Sequence, residues 1–305
     1  MLINKLKFLV ITAISITLLF SISINTAAQA NFDSSKLLIS AAEVNAKLEN
    51  DEEIKIIDVR NSAKYLLGHL PNAVHMWGDD LSAVQGWVPE LIPEAESFSK
   101  IARAKGINNN SKIIIYGDQV SPWPARLWFI FRFYDHHDVQ ILKGGYQAWK
   151  SKDYESEILP PNPEEGNFKV RDVNNEWLIT SDTIAENLNN DNFLILDTRT
   201  EAEYLGEETN SAAPRRGRIP SSVHLEWSAV LDEEGNYKSA AEISELYQQL
   251  GVSREKEIIA VVSHNGVRAA HTFFTLKLLG YENLKLYDEA WVGWSSRSDL
   301  PVEVN

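Results

Sequence analysis

The chain has 305 residues with 44% hydrophobic and 24% charged content, 15 Gly and 11 Pro, which excludes collagen-like, low-complexity and disordered chains. Its formal net charge of −14 argues against a nucleic-acid surface, because phosphate binding needs a basic patch. It contains no cysteine, so disulfides, thiolate metal sites, iron–sulfur clusters and a cysteine nucleophile are all excluded.

At roughly 100–200 residues per domain, the length predicts about two domains, each large enough for its own core. The first 30 residues stand apart from the rest. Lys5 and Lys7 precede an almost wholly apolar or hydroxylated run from Phe8 to Ile24, and Ala28-Gln29-Ala30 supplies a small-x-small cleavage pattern. Residues 1–30 therefore read as an export signal, with an uncleaved anchor as the alternative. The expected product is periplasmic or secreted, has no stable membrane span after cleavage, and carries a net charge of −16.

Short β-branched runs follow at Ile54–Asp58, Ile113–Tyr116, Val139–Leu142, Phe193–Asp197, Ile258–Val262 and Leu284–Tyr287. They have the composition of buried parallel strands. Helical patterns lie between them. Pro93–Lys105 turns Phe98, Ile101 and Ala102 inward and stops at Gly106. Ser239-Ala-Ala-Glu242 is a capping box leading into Ile243, Leu246, Tyr247 and Leu250, with Gly251 as the stop. This alternation predicts an α/β fold with mainly parallel sheets flanked by helices.

The chain repeats itself. Asp58-Val-Arg60, Tyr65, Gly68-His-Leu-Pro71 and Val74-His75 recur as Asp197-Thr-Arg199, Tyr204, Gly217-Arg-Ile-Pro220 and Val223-His224. The offset grows from 139 to 149, so the second copy holds an insertion of ten residues near Gly206–Arg215. Gly144-Gly145-Tyr146-Gln-Ala-Trp149 matches Glu289-Ala290-Trp291-Val-Gly-Trp294 in spacing. Two domains are expected, over 36–155 and 173–305. Residues 156–172, with Pro160, Pro161 and Pro163 and four acids, read as a semi-rigid linker.

Parallel α/β sheets bind ligands at the carboxyl ends of their strands. The strongest such point is the segment after Val262: Ser263, His264, Asn265, Gly266, Val267 and Arg268. Gly266 permits a tight turn, the backbone N–H groups at the next helix N-terminus form an anion cradle, and Arg268 offers a charged fork to a ligand or to the protein itself. Arg215, Arg216 and Arg218 form the one dense basic cluster of the chain beyond residue 30, read either as recruiting anions or as a salt-bridged surface loop. The equivalent loop of the first copy, 117–126, has no nucleophile beyond Ser121. His75 and His224 read as packed residues, His136-His137 as a surface turn, and His271 as structural or supporting. No metal centre and no cofactor are expected.

On the motifs Asp58-Val-Arg60 with Gly68-His-Leu-Pro71, Asp197-Thr-Arg199 with Gly217-Arg-Ile-Pro220, Gly266-Val-Arg-Ala-Ala-His271, Tyr287-Asp-Glu-Ala-Trp291-Val-Gly-Trp294 and Asp299-Leu-Pro-Val-Glu303, the chain resembles tandem rhodanese-family sulfurtransferases. That group includes thiosulfate and 3-mercaptopyruvate sulfurtransferases, and the resemblance covers residues 36–304. It implies two similar α/β domains, the first catalytically silent. It also implies sulfur transfer through a persulfide on the first loop residue of the second, a cysteine.

Here that residue is Ser263. A thiol ionises near pKa 8.5 and can be tuned lower; a hydroxyl without an adjacent base stays protonated and has no oxygen counterpart of a transferable persulfide. Family-type catalysis is expected to be lost, leaving an anion-binding or interaction role, with a small sulfur-containing or other anion as the expected ligand. Two further departures are Glu203 before Tyr204, where vertebrate-type relatives have a basic residue, and Arg218, where the family usually has His. The alternatives are a functioning sulfurtransferase and a Ser263-dependent hydrolase.

Overall fold

The computed structural model describes residues 37–304 except 87 and 211, so the expected export signal lies outside the described residues. The first domain runs β1 (Leu38–Ile39), α1 (Ala41–Glu49), β2 (Ile54–Asp58), α2 (Ser62–Leu66), β3 (Val74–His75), β4 (Ala83–Gln85), β5 (Val88–Leu91), α3 (Ala95–Ala104), β6 (Lys112–Tyr116), α4 (Trp123–Phe133), β7 (Val139–Leu142) and α5 (Gly145–Lys150). The second runs α6 (Ser181–Glu186), β8 (Phe193–Asp197), α7 (Glu201–Leu205), β9 (Val223–His224), α8 (Ala240–Gln248), β10 (Ile258–Val262), α9 (Val267–Leu278), β11 (Leu284–Leu286) and α10 (Ala290–Ser296).

The first sheet has the order β1-β7-β6-β2-β3 and the second β11-β10-β8-β9, with every pairing in both parallel. Leu178 bridges Leu286 in parallel, in the place that β1 holds beside β7. The strands expected from the sequence all form, the last ending one residue early at Leu286. The capping box at Ser239 also forms: Glu242 N–H donates to Ser239 Oγ and Ser239 N–H to the Glu242 carboxylate. Ser40 with Glu43 and Thr200 with Glu203 repeat it.

Helices α4 and α9 each leave the loop at the carboxyl end of a central strand, and each is apolar nearly all round because it is buried nearly all round. They pack on each other across the domain boundary. Phe129 meets Phe273 edge-on at 4.9 Å between ring centroids, and Trp128 meets Phe274 likewise at 4.9 Å. One hydrophobic cluster therefore runs through both domains.

Residues 156–172 are not a free linker. Their prolines and acids resemble spacer composition, but the segment is bonded along the first domain. Glu157 and His69 exchange backbone hydrogen bonds of 2.8 and 2.9 Å, and Gly166 N–H donates to Arg103 O at 2.8 Å. Phe168, 2% exposed, packs against Phe98, Phe131 and His136. A Cβ on Gly166 would lie 2.0 Å from Ile107 O, so only glycine allows this approach. No helix among the described residues is long and apolar enough to cross a membrane.

The shared cluster predicts one cooperative unfolding transition for both domains. Phe129→Ala and Phe273→Ala should each cost about 3–5 kcal/mol in denaturant melts, with a coupling of about 0.5–1.5 kcal/mol in the double-mutant cycle. Separate transitions for the two halves would contradict this packing.

Candidate functional site

The repeated motif is a structural buckle. Asp197 and Arg199 sit two apart in the turn after β8, and the guanidinium folds back on the carboxylate. Arg199 Nε lies 3.0 Å from both oxygens and Nη2 is 2.7 Å from Oδ2, while Nη2 also donates to Gly217 O at 2.8 Å. His224 Nε2 is 2.8 Å from Arg199 O, and Tyr204 stacks on His224 at 4.7 Å. The first domain reproduces each contact with Asp58, Arg60, Gly68 O, His75 and Tyr65. Both ion pairs are buried, where mutual hydrogen bonding offsets the cost of removing charge from water.

The loop 263–268 follows from β10. Its strand is buried on both faces, so the chain leaves it deep in the fold, and Ser263 is 0% exposed. Gly266 takes φ +79° and starts α9. The carbonyls of Ser263 and His264 accept from Trp291 N at 2.9 Å and Val292 N at 3.2 Å, which fastens the loop to α10. The first N–H groups of α9 have no intrahelical acceptor, as at every helix start. Ser263 Oγ has no hydrogen-bond partner, so the contact with a base that a serine nucleophile needs is not made.

Arg268 donates Nη1 and Nη2 to the two oxygens of Glu203 at 2.7 and 3.0 Å. The fork assigned to a ligand or to the protein is held by the protein. Glu203 is also the third residue of its own capping box, accepting from Thr200 N at 3.0 Å and Thr200 Oγ1 at 3.1 Å. Burial would raise its pKa, but the hydrogen bonds and charge of Arg268 and the Thr200 N–H bring it down to about 2. His264 Nδ1 lies 3.9 Å from Glu203 Oε1. Burial lowers its pKa to about 4 against the pull of Glu203, so the imidazole is neutral at pH 7.

Three site residues come from elsewhere in the chain, and no spacing pattern joins them to the loop. Asn265 Nδ2 donates to the Glu90 carboxylate, from the end of β5. Arg126, fully buried on α4, donates Nη1 to Asp288 Oδ1 at 2.7 Å and Nη2 to Glu90 O at 2.6 Å. Asp288 Oδ2 accepts from Ile92 N at 2.9 Å. A Cβ on Gly266 would meet Asp288 Oδ1 at 2.9 Å, so this clamp needs glycine there. The first domain thereby grips the loop of the second.

The basic cluster does not act as one surface. Arg215 donates to the carbonyls of Ser295, Leu300, Trp294 and Arg297 at 2.6–2.9 Å, closing the carboxyl end of α10. Arg218 pairs with Glu303 and lies over the Tyr204 ring. Arg216 donates to Glu207 O at 3.2 Å on an exposed loop. Of the two readings of this cluster, the contacts of Arg215 with four carbonyls and of Arg218 with Glu303 match the salt-bridged, structural one.

His271 lies between Tyr237, 3.0 Å from its Nε2 to the hydroxyl, and Trp227; burial lowers its pKa to about 3. His136 is bonded to Ser111 O, and His137 to Asp135. Among the described residues no group of three or more His, Cys, Asp or Glu has a metal-holding arrangement.

The depressed Glu203 pKa has a consequence for stability. Its pair with Arg268 contributes fully above the ordinary carboxylate value of 4.5 and is lost as pH falls toward 2. Wild type should exceed Glu203→Gln by about 2–4 kcal/mol at pH 7. In melts across that range the difference should shrink below pH 4.5; a constant difference down to pH 2 would refute the pairing.

Comparisons with known proteins converge on this architecture. The rhodanese-like domain model matches residues 40–152 and 180–297. The thiosulfate sulfurtransferase of Corynebacterium glutamicum is 29% identical over 277 residues, covering 87% of this chain and 90% of that one. The 3-mercaptopyruvate sulfurtransferase of Escherichia coli is 32% identical over 266 residues, covering 83% and 93%. The crystal structure of SseA from Escherichia coli superposes with a TM-score of 0.75 at 29% identity, covering 84% of this chain and 99% of that one. The anaerobic ergothioneine biosynthesis enzyme from Chlorobium limicola, at 23% identity over 90% of this chain and 71% of that one, shares the fold with a TM-score of 0.77. With two buckled parallel-sheet domains and a serine at the head of its second loop, the chain belongs to the rhodanese family, as a tandem member related to the sulfurtransferases and lacking cysteine.

Proposed function

We propose that this protein is an exported binding protein of sulfurtransferase descent. It holds a small sulfur-containing or oxyanion-like ligand at the 263–268 loop and does not transfer sulfur. The observation that carries this reading is Ser263 Oγ: buried, with no hydrogen-bond partner, in a chain that has no cysteine to replace it. Persulfide transfer needs a thiolate whose attack breaks the donor's bond to the transferred sulfur, S–S in thiosulfate or C–S in 3-mercaptopyruvate, and whose own S–S bond is then broken by an acceptor. A protonated hydroxyl does neither.

The ligand side of the proposal rests on the loop frame. Gly266 and the start of α9 keep the amide arrangement that favours oxygen or sulfur acceptors, with Asn265 of the loop bonded to Glu90 and Arg126 paired with Asp288 beside Gly266. The export side rests on Lys5, Lys7, the apolar stretch to Ile24 and Ala28-Gln29-Ala30. A hydrolase reading has less support, because His264 does not hydrogen-bond to Ser263 Oγ.

Thiocyanate formation from cyanide, with thiosulfate or 3-mercaptopyruvate as donor, tests the loss of transfer. Wild type and Ser263→Ala should both stay at background, while Ser263→Cys should rise at least about tenfold above it. Wild-type turnover abolished by Ser263→Ala would overturn the proposal. Amino-terminal sequencing of the secreted or periplasmic protein should begin near Asn31.

A further inference from the structure

A cavity of about 700 Å³ opens between the domains at the carboxyl ends of α4 and α9, the ends turned away from the Ser263 loop. From Val267 at the loop to Lys277 at the cavity is about 15 Å along α9. Both domains build the walls. Trp128 and Arg132 come from α4, Trp177 from the 3-10 turn Asn175–Trp177, and Lys277 from α9. The Trp128 and Trp177 rings stack at 6.1 Å. Arg132 Cζ lies 5.8 and 6.0 Å from their centroids, and Lys277 Nζ lies 5.3 Å from that of Trp177.

The two cations differ in their partners. Lys277 Nζ is 2.6 Å from Glu282 Oε2, so its charge is matched. Arg132 has no ion-pair partner among the described residues, unlike Arg126, Arg199, Arg218 and Arg268. Its Nη1 donates to His137 O at 3.2 Å, while Nη2 and the buried Nε have no hydrogen-bond partner among those residues. Burial lowers its pKa, and the acids that act against this, Asp135 and Glu282, are 43% and 85% exposed.

A place in the last turn of a helix favours positive charge, which explains why both residues are cations, but it gives Arg132 no acceptor. A guanidinium drawn out of water without a carboxylate carries a desolvation penalty that a hydrogen-bonded anion offsets. The rim acids Asp138 and Glu282 are exposed and screened by water, so they tolerate one negative charge at Arg132 and oppose a second. Beside the guanidinium, Trp177 and Leu37 offer an apolar, partly aromatic wall. A cavity of this size at a domain boundary, apolar with one unmatched charge, has the makeup of a small-molecule site.

We propose that this cavity is a second ligand site, for a monoanionic carboxylate on a flat aromatic body, with Arg132 binding the carboxylate and Trp177 and Leu37 the body. The site is independent of the Ser263 loop and of what that loop binds.

Three probes separate charge from body: 2-naphthoate, the uncharged 2-naphthamide and acetate. Each is titrated into the isotope-labelled protein, following the indole N–H resonances of Trp128 and Trp177 and the backbone amides of residues 264–268. Naphthoate should shift the two indole signals and leave the loop amides in place. Naphthamide should bind at least about tenfold more weakly, and acetate should leave the indole signals unmoved. Arg132→Gln should weaken naphthoate about tenfold or more while changing naphthamide less than about threefold, and Arg132→Lys should fall between. Thermal melts confirm that each variant is folded.

Equal affinity for naphthoate and naphthamide in wild type would overturn the proposal, whatever the variants do. So would naphthoate binding unchanged in folded Arg132→Gln, shifts confined to the loop amides, or no shift of the indole signals with any probe.

Discussion

The apposition of α4 and α9 is the constraint on which the rest of the molecule depends. Each helix begins at the loop after a central strand, so packing the helices together brings the two loops together. Phe129 on Phe273 and Trp128 on Phe274 fix the separation, and at that separation Arg126 reaches Asp288 beside Gly266. Glu90 then reaches Asn265 from the hairpin of β4 and β5. The first domain is thus structurally necessary to the loop of the second: without it, the buried Asp288 carboxylate would lose its cation.

Within that frame the chemistry follows from two exchanges. Serine for cysteine at 263 leaves a hydroxyl where a soft, ionisable nucleophile is required, and no base lies within reach to compensate. A carboxylate at 203 satisfies Arg268 internally, so the cation at the end of the loop motif acts as a strut. The two changes act on different properties of the site, reactivity and charge.

Local patterns made much of this legible in the sequence. Strand and helix periods, the capping box at Ser239 and the repeat of Asp-x-Arg with Gly-x-x-Pro are short-range signals, and the elements they mark form. The repeat also has a largely local cause, since Arg199 folds onto a carboxylate two residues away and reaches Gly217 O 18 residues on. What escaped depends on separation. Glu90 with Asn265 and Arg126 with Asp288 lie 175 and 162 residues apart, and no spacing rule joins them. Composition alone is silent in two places: proline and acid content gives no sign that Phe168 docks its segment, and three nearby arginines leave open the recruiting and salt-bridged readings until their separate partners are seen.

The central claim, that the Ser263 loop is a sulfurtransferase loop without its nucleophile, is tested most directly by intact-mass spectrometry after incubation with 3-mercaptopyruvate. The account predicts an unchanged mass for the wild-type protein and a gain of one sulfur atom for Ser263→Cys. A wild-type protein that itself gains sulfur, and loses it again to cyanide, would contradict the account.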